Sequence, residues 1–250
     1  MPFAHLRRAT IAVACLLALA ACATTAPEPK KPADTLFREG EEFYATKHYE
    51  DAIAQWKKVK ESFSTPELTA QAELKIADAQ FDNESYIEAA ASYEEFRKFH
   101  PKHPMAPYAL YRLALCNYKQ MGTIDTDQTA VKNTINLFES FLQQYPNDER
   151  AAEARQKLQE CRARQLRYEI YVGRFYLRTD KYQSAIKRLS RALTLSPDSP
   201  ENDETLYYLG RAYIRSGDKE KGRETFNQLF KQFPSSTYIG DARKVMDKYY

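Results

Sequence analysis

The 250-residue sequence predicts an all-α protein, with about five helix pairs and a closing helix stacked side by side. Three observations predict it. Glycine is scarce, at 7 residues, while alanine, leucine, glutamate, lysine, glutamine and arginine abound, a composition that favours helices over sheets or disorder. A local pattern recurs: a small residue in an amphipathic helix, an aromatic residue three or four positions on, then an alanine followed four residues later by an aromatic or leucine. Each recurrence ends near a proline, which cannot continue a helical hydrogen-bond ladder. The formal charge is only +3, from 37 basic and 34 acidic residues of mixed order, so the electrostatic footprint of a nucleic-acid binder is missing.

In chain order, residues 1–21 read as a signal peptide. Arg7 and Arg8 form a positive region ahead of a short apolar run, Ala9–Ala20, too short for a membrane span of about 20 residues. Leu19-Ala20-Ala21-Cys22 resembles a bacterial lipobox, which implies lipidation of Cys22 and its emergence as the first residue of the mature chain. Ala23 behind it resembles the pattern of lipoproteins sent to the outer membrane. Acyl chains there would anchor the protein firmly, because several chains hold where one is marginal. Residues 22–33 then form a Pro- and Ala-rich tether reaching roughly 30 Å in extended form. The expected location is the periplasmic face of the outer membrane.

Residues 34–250 form the repeat domain, with units near 34–66, 70–103, 107–148, 166–199 and 203–236. Gly40, Ala77, Ala114, Gly173 and Gly210 are the small residues of the first helices. The second helices carry Ala52, Ala89 and Ala185 at the matching position, but Thr134 in the third unit and Gly222 in the fifth. The third unit also has about eight extra residues between its helices, and Glu149–Arg164 is an extra helical stretch ahead of the fourth. Residues 236–250 look like a closing helix. The pattern resembles the tetratricopeptide repeat, which implies a right-handed solenoid with a concave groove lined by the first helix of each unit. Cys116 and Cys161 fall in helical pattern and read as two buried thiols.

Groove positions mapped by spacing divide the surface in two. The first half collects Phe37, Glu41, Tyr44, Leu74, Asp78, Phe81, Asp82, Tyr108, Tyr111 and Tyr118, aromatics with acids. Of these, Phe37, Tyr44, Asp78, Phe81, Tyr108, Tyr111 and Tyr118 are the candidate peptide-binding residues. The second half collects Arg167, Ile170, Arg174, Arg178, Tyr207, Arg211 and Arg215, a basic strip suited to an acidic partner surface. The competing reading makes the aromatics packing residues and the arginines a solvated face.

Four stretches carry a closer resemblance: Asp34–Ala52 with its HYEDAI, FRKFHPKHPMAPYALYRLAL at 96–115, the IDTDQT insertion at 124–129, and LRYEIYVGRFYLRTDKYQSAIKRLSRAL at 166–193. They resemble the BamD (ComL) family of outer-membrane assembly lipoproteins. The resemblance implies a subunit of the β-barrel assembly (BAM) complex. Its C-terminal repeats would hold the BamA-like central barrel subunit alongside other BAM lipoproteins, and its N-terminal repeats would recognise unfolded outer-membrane proteins. It also implies that Arg188, within AIKRL, is a basic position used at the central subunit, on the edge and not in the groove. The same features admit another envelope adaptor, a Tol–Pal-linked factor or a secretin pilotin.

No enzyme and no cofactor are expected. The sequence lacks G-x-x-x-x-G-K-[ST], G-x-G-x-x-G, G-x-S-x-G and H-E-x-x-H. His100 and His103 straddle a proline turn and make no metal site. Asp125-x-Asp127 lacks the glycine and glutamate of a calcium loop; Asp127 is expected to cap the helix that begins at Thr129.

Overall fold

A computed structural model describes residues 31–62 and 64–250. Residues 1–30, where a signal peptide, the lipidated Cys22 and most of a tether are expected, lie outside the described residues. Among the described residues eleven α-helices follow in order: α1 Ala33–Ala45, α2 Tyr49–Glu61, α3 Pro66–Asp82, α4 Tyr86–Phe99, α5 Ala106–Lys119, α6 Thr129–Gln144, α7 Ala151–Arg178, α8 Tyr182–Leu195, α9 Asn202–Arg215, α10 Lys219–Gln232 and α11 Ile239–Tyr249. There is no strand among the described residues. The all-α repeat architecture expected from the sequence is the one observed.

Among the described residues there is no single core. Buried side chains instead form a series of clusters, and the principal ones straddle three successive helices. Leu36, Trp56 and Ile76 join α1, α2 and α3; Leu74, Tyr93 and Leu113 join α3, α4 and α5; Leu110, Phe138 and Leu158 join α5, α6 and α7. Leu177, Leu189 and Leu209 join α7, α8 and α9, and Leu206, Phe226 and Ala242 join α9, α10 and α11. Helix pairs that cannot cover their own apolar faces are stabilised only by their neighbours, which is the logic of a solenoid.

The small residues permit the closest approaches. A Cβ on Gly40 would lie 2.7 Å from Cε2 of Trp56, one on Gly173 would lie 2.6 Å from Cγ of Leu189, and one on Gly210 would lie 2.7 Å from Cε1 of Phe226. Each first helix is therefore pressed against the large residue at the centre of the second. In the third unit Thr134 replaces the expected alanine. It is fully buried, and its hydroxyl donates to the Ala130 carbonyl at 2.7 Å, which satisfies the extra polar atom within its own helix.

The turns inside four of the five pairs share one geometry. Lys47, Glu84, Asp180 and Gly217 each take a left-handed backbone with φ between 58° and 94°. At the first turn the His48 N–H donates to the Phe43 carbonyl and the Lys47 N–H to that of Tyr44; Asp218 and Gly217 repeat this with Tyr213 and Ile214. This is the Schellman arrangement that ends a helix in a left-handed residue. Only the last of these turns uses glycine.

The third pair departs from the rule. Residues 120–128 replace the tight turn, and Asp127 Oδ1 accepts from the Thr129 N–H at 3.3 Å as α6 begins. Beyond it the extra stretch at 149–164 does not form a separate helix. It runs straight into the first helix of the fourth pair, giving the 28-residue α7. The first half of α7 packs with the third unit through Leu158 and Cys161, and its second half packs with the fourth through Leu166, Ile170 and Leu177.

Candidate functional site

In the N-terminal half the first helices bring Tyr44 of α1, Asp78, Phe81 and Asp82 of α3, and Tyr108 of α5 into one network. Its hub, Arg112 of α5, was missed by the sequence reading. The Arg112 guanidinium lies 3.8 Å from the centroid of the Phe81 ring. Its Nε donates to the Tyr93 hydroxyl at 3.0 Å, and its Nη2 reaches Asp82 Oδ1 at 3.4 Å. Asp78 Oδ1 accepts from the hydroxyls of Tyr93 at 2.5 Å and Tyr108 at 2.7 Å, and the Tyr44 hydroxyl donates to Asp82.

The electrostatics follow from this closure. Burial pushes the Asp78 carboxyl above its ordinary value, and the two phenols and Arg112 bring it part of the way back. Burial would draw the Arg112 guanidinium down, but Tyr93, Tyr108 and Asp78 outweigh it and hold the group above its ordinary value. Burial first, and Asp78 or Asp82 after it, raise the phenols of Tyr44, Tyr93 and Tyr108 well beyond the usual range. The polar atoms of this network bind one another, and Tyr44, Phe81 and Tyr108 stay partly exposed.

Three of the candidate peptide-binding residues lie outside the network. Phe37 packs beside Trp56, whose indole N–H donates to the Phe37 carbonyl at 3.2 Å. The Tyr118 hydroxyl donates to Glu160 of α7 at 2.7 Å, with Lys157 over its ring; that carboxylate, followed by burial, pushes the phenol up to about 12. Tyr111 is a correction. It is 5% exposed and packs against Phe138 and Phe141 inside the core, so it cannot line a groove. Leu74, Ile170 and Tyr207 are buried for the same reason. At 3.6 residues per turn, positions three and four apart compete for one face. In α5 and α7 the fourth position, Arg112 and Tyr171, takes it. Arg112 stands four residues from Tyr108, as Asp82 does from Asp78, and that spacing was the available signal.

The C-terminal half is built differently. Arg167, Tyr171, Arg174, Phe175 and Arg178 are exposed along α7, with Tyr171 at 45% and Phe175 at 47%. The sequence reading singled out neither aromatic. Arg174 pairs with Glu204 of α9 at 2.9 Å and lies 4.9 Å from the Tyr208 ring, over which Arg211 also sits. Arg167 pairs with Glu201, and Arg215 with Asp180 at 3.2 Å, its guanidinium against the Tyr182 hydroxyl. The strip is therefore less basic than its arginines alone suggest, because acids of the neighbouring helix or turn answer three of them. Arg178 has no ion pair among the described residues.

Arg188 stands apart from this strip, on α8, paired with Glu169 of α7 at 3.2 Å. Cys116 and Cys161 are free and buried, and burial pushes their thiols up to about 12 and about 11, which keeps them protonated and inert. His100 pairs with Glu73 at 2.7 Å, and no group of three metal-ligating side chains occurs among the described residues. No helix among them is long and apolar enough to cross a membrane.

The chain is similar to several known proteins. Residues 29–225 match the model of a family described as "YfiO: Outer membrane lipoprotein". "Outer membrane protein assembly factor BamD" of Caulobacter vibrioides is 25% identical over 96% of this chain and 81% of its own length. The protein of that name in Rickettsia prowazekii is 26% identical over 87% of each chain, and that in Neisseria meningitidis serogroup A is 25% identical over 95% of each. Among solved structures, the TPR2AB domain of yeast Sti1 aligns over 87% of this chain and 85% of its own, with a TM-score of 0.42 and 14% identity.

Proposed function

The chain belongs to the YfiO family of outer membrane lipoproteins, and on that premise we infer that it is an outer membrane protein assembly factor, a non-enzymatic subunit of the β-barrel assembly complex. The observation that carries the inference is the family match across residues 29–225, a span that takes in the first four helix pairs and part of the last. The two halves of the concave face then divide the work. Cys22 carries the lipid anchor and holds the solenoid at the periplasmic face of the outer membrane. The C-terminal face docks the BamA-like central barrel subunit, with Tyr171 and Phe175 as aromatic anchors and Arg174, Arg178, Arg211 and Arg215 around them, a composition typical of interface hot spots. The N-terminal network receives the aromatic-ended segment of an unfolded barrel protein beside the partly exposed Phe81, Tyr44 and Tyr108, while its hydroxyls and carboxylates stay engaged with one another.

The non-enzymatic reading rests on the relatives, which are described as assembly factors.

Depletion of the protein is expected to lower the outer-membrane content of β-barrel proteins; unchanged levels in depleted cells would overturn the assignment. Arg174→Glu combined with Arg178→Glu should weaken capture of the central subunit by about tenfold while leaving helix content intact, since both side chains are exposed. Capture of a Tol–Pal component or a secretin in place of a barrel protein would assign the chain to another envelope adaptor.

A further inference from the structure

The helices of each pair are antiparallel, so the ends of the second helices and the starts of the first share one edge of the solenoid. Contacts trace that edge. Leu36 near the start of α1 packs in one cluster with Val59 near the end of α2 and Leu68 near the start of α3. Glu67, in the first turn of α3, has Oε1 3.6 Å from Nε2 of His103, in the connection between α4 and α5. The chain enters the solenoid on this edge, at Ala33, so the tether expected at residues 22–33 departs from it.

One connection on the edge differs from the others. Phe99, the last residue of α4, is 62% exposed, more than any other aromatic side chain among the described residues, and Met105 is 37% exposed. Lys98, Pro101, Lys102 and Pro104 are exposed beside them, with the Lys98 ammonium 5.7 Å from the centroid of the Phe99 ring. No aspartate or glutamate occurs from residue 96 to residue 124, whereas Arg97, Lys98 and Lys102 cluster at its start. The ion pairs here run beneath the tip, from Lys60 and His100 to Glu73 and from His103 to Glu67, and none among the described residues takes up Arg97, Lys98 or Lys102. The matching connections at 145–150 and 196–201 carry Asp148, Glu149, Asp198 and Glu201 instead, and neither exposes a large apolar side chain.

Folding does not call for this arrangement. The connection is held from inside: Phe96 is buried against the rings of His100 and His103, whose centroids are 5.0 and 5.3 Å away, and Nδ1 of His103 accepts from the Met105 N–H at 3.1 Å. Phe99 and Met105 therefore stand out from a fixed loop and lose little freedom on association. Apolar side chains ringed by unpaired cations match the interfacial layer of a bilayer, where the acyl boundary takes the ring and thioether and anionic headgroups meet the ammonium groups. We propose that the Phe99–Met105 tip dips into a phospholipid surface bearing anionic headgroups, a second point of contact that orients the tethered solenoid on the membrane. The proposal rests on the reading of Cys22 as a lipid anchor. A single small tip binds a bilayer weakly, and the tether supplies the local concentration that makes its contact persist.

The test uses the lipid-modified full chain in vesicles whose acyl chains are brominated. Bromine quenches indole emission at short range, and the chain's one tryptophan, Trp56, is fully buried, so Phe99→Trp adds a separate signal. In phosphatidylcholine vesicles containing phosphatidylglycerol, the emission added by Phe99→Trp is expected to fall about twofold relative to unbrominated vesicles of the same composition. Lys98→Glu with Lys102→Glu in that chain is expected to abolish the fall. Ser235→Trp, exposed in the connection between α10 and α11 on the same edge, is expected to show none. The proposal is overturned, and the anchor left standing, if emission from Phe99→Trp does not change, if Ser235→Trp is quenched equally, or if quenching survives Lys98→Glu with Lys102→Glu. Emission that ignores lipid but shifts on addition of the central barrel-assembly subunit overturns it in favour of a protein docking surface. Failure of the unchanged chain to float with the vesicles overturns the anchor and the proposal together.

Discussion

The two halves of the concave face use the same residue types to opposite ends. In the N-terminal half, arginine, aspartate and tyrosine close on one another around Arg112, which leaves 17% of that side chain exposed. In the C-terminal half, arginines keep to the surface beside two aromatic rings that are about half exposed, Tyr171 at 45% and Phe175 at 47%. A polar network that satisfies itself stiffens a fold, because each unpaired member would carry the full cost of burial. A face of exposed rings and guanidiniums contributes little to folding and is available for association. The same tetratricopeptide scaffold thus separates a self-paired half from a more exposed one by side-chain choice alone.

The contrast can be broken at Arg112. Arg112→Ala is expected to cost about 3 kcal/mol of stability by chemical denaturation, since it strands Asp78 and Asp82 without their cation. A cost below 1 kcal/mol would show that the network is ornamental. Alkaline titration probes the same half. The Tyr93 phenol is fully buried and its folded value is raised, so the unfolded chain releases that proton first. The stability this contributes is fully present below pH ~10 and is lost above it, at about 1.4 kcal/mol per pH unit. Denaturation midpoints should fall above pH ~10, and less steeply in Tyr93→Phe.

A smaller effect sharpens the comparison at the turns. Lys47→Gly and Glu84→Gly give the first two pairs the glycine that the last already has in Gly217, and each should raise stability by about 0.7 kcal/mol through relief of left-handed strain. Thermal melts read that gain directly. Smallest of all, Arg174→Ala in the C-terminal half should change stability by less than about 0.5 kcal/mol, because an exposed pair with Glu204 is worth little. A loss comparable to that at Arg112 would abolish the distinction between the halves.

Much of this molecule is legible in the sequence. Gly40 beneath Trp56 and Gly210 beneath Phe226 were readable because close packing needs a small residue opposite a large one at a fixed spacing. Thr134 broke that spacing without breaking the fold, since its hydroxyl found an acceptor in its own helix. The groove was less legible. Tyr111 and Arg112 are neighbours, and a period of 3.6 does not say which of them turns inward; packing against Phe138 and Phe141 decided it. Tyr171 escaped notice beside Ile170 for the same reason. Nor does composition reveal that arginines on one helix have carboxylates waiting on the next, as Arg174 has in Glu204.

The fusion of the extra stretch into α7 has a mechanical consequence. Twenty-eight residues of unbroken helix make a strut about 42 Å long, anchored at one end in the third unit and at the other in the fourth. A hinge at this point would let the two halves swing independently. A strut makes them a calliper of fixed opening, in which torque applied at Arg178 is delivered as leverage at Leu158.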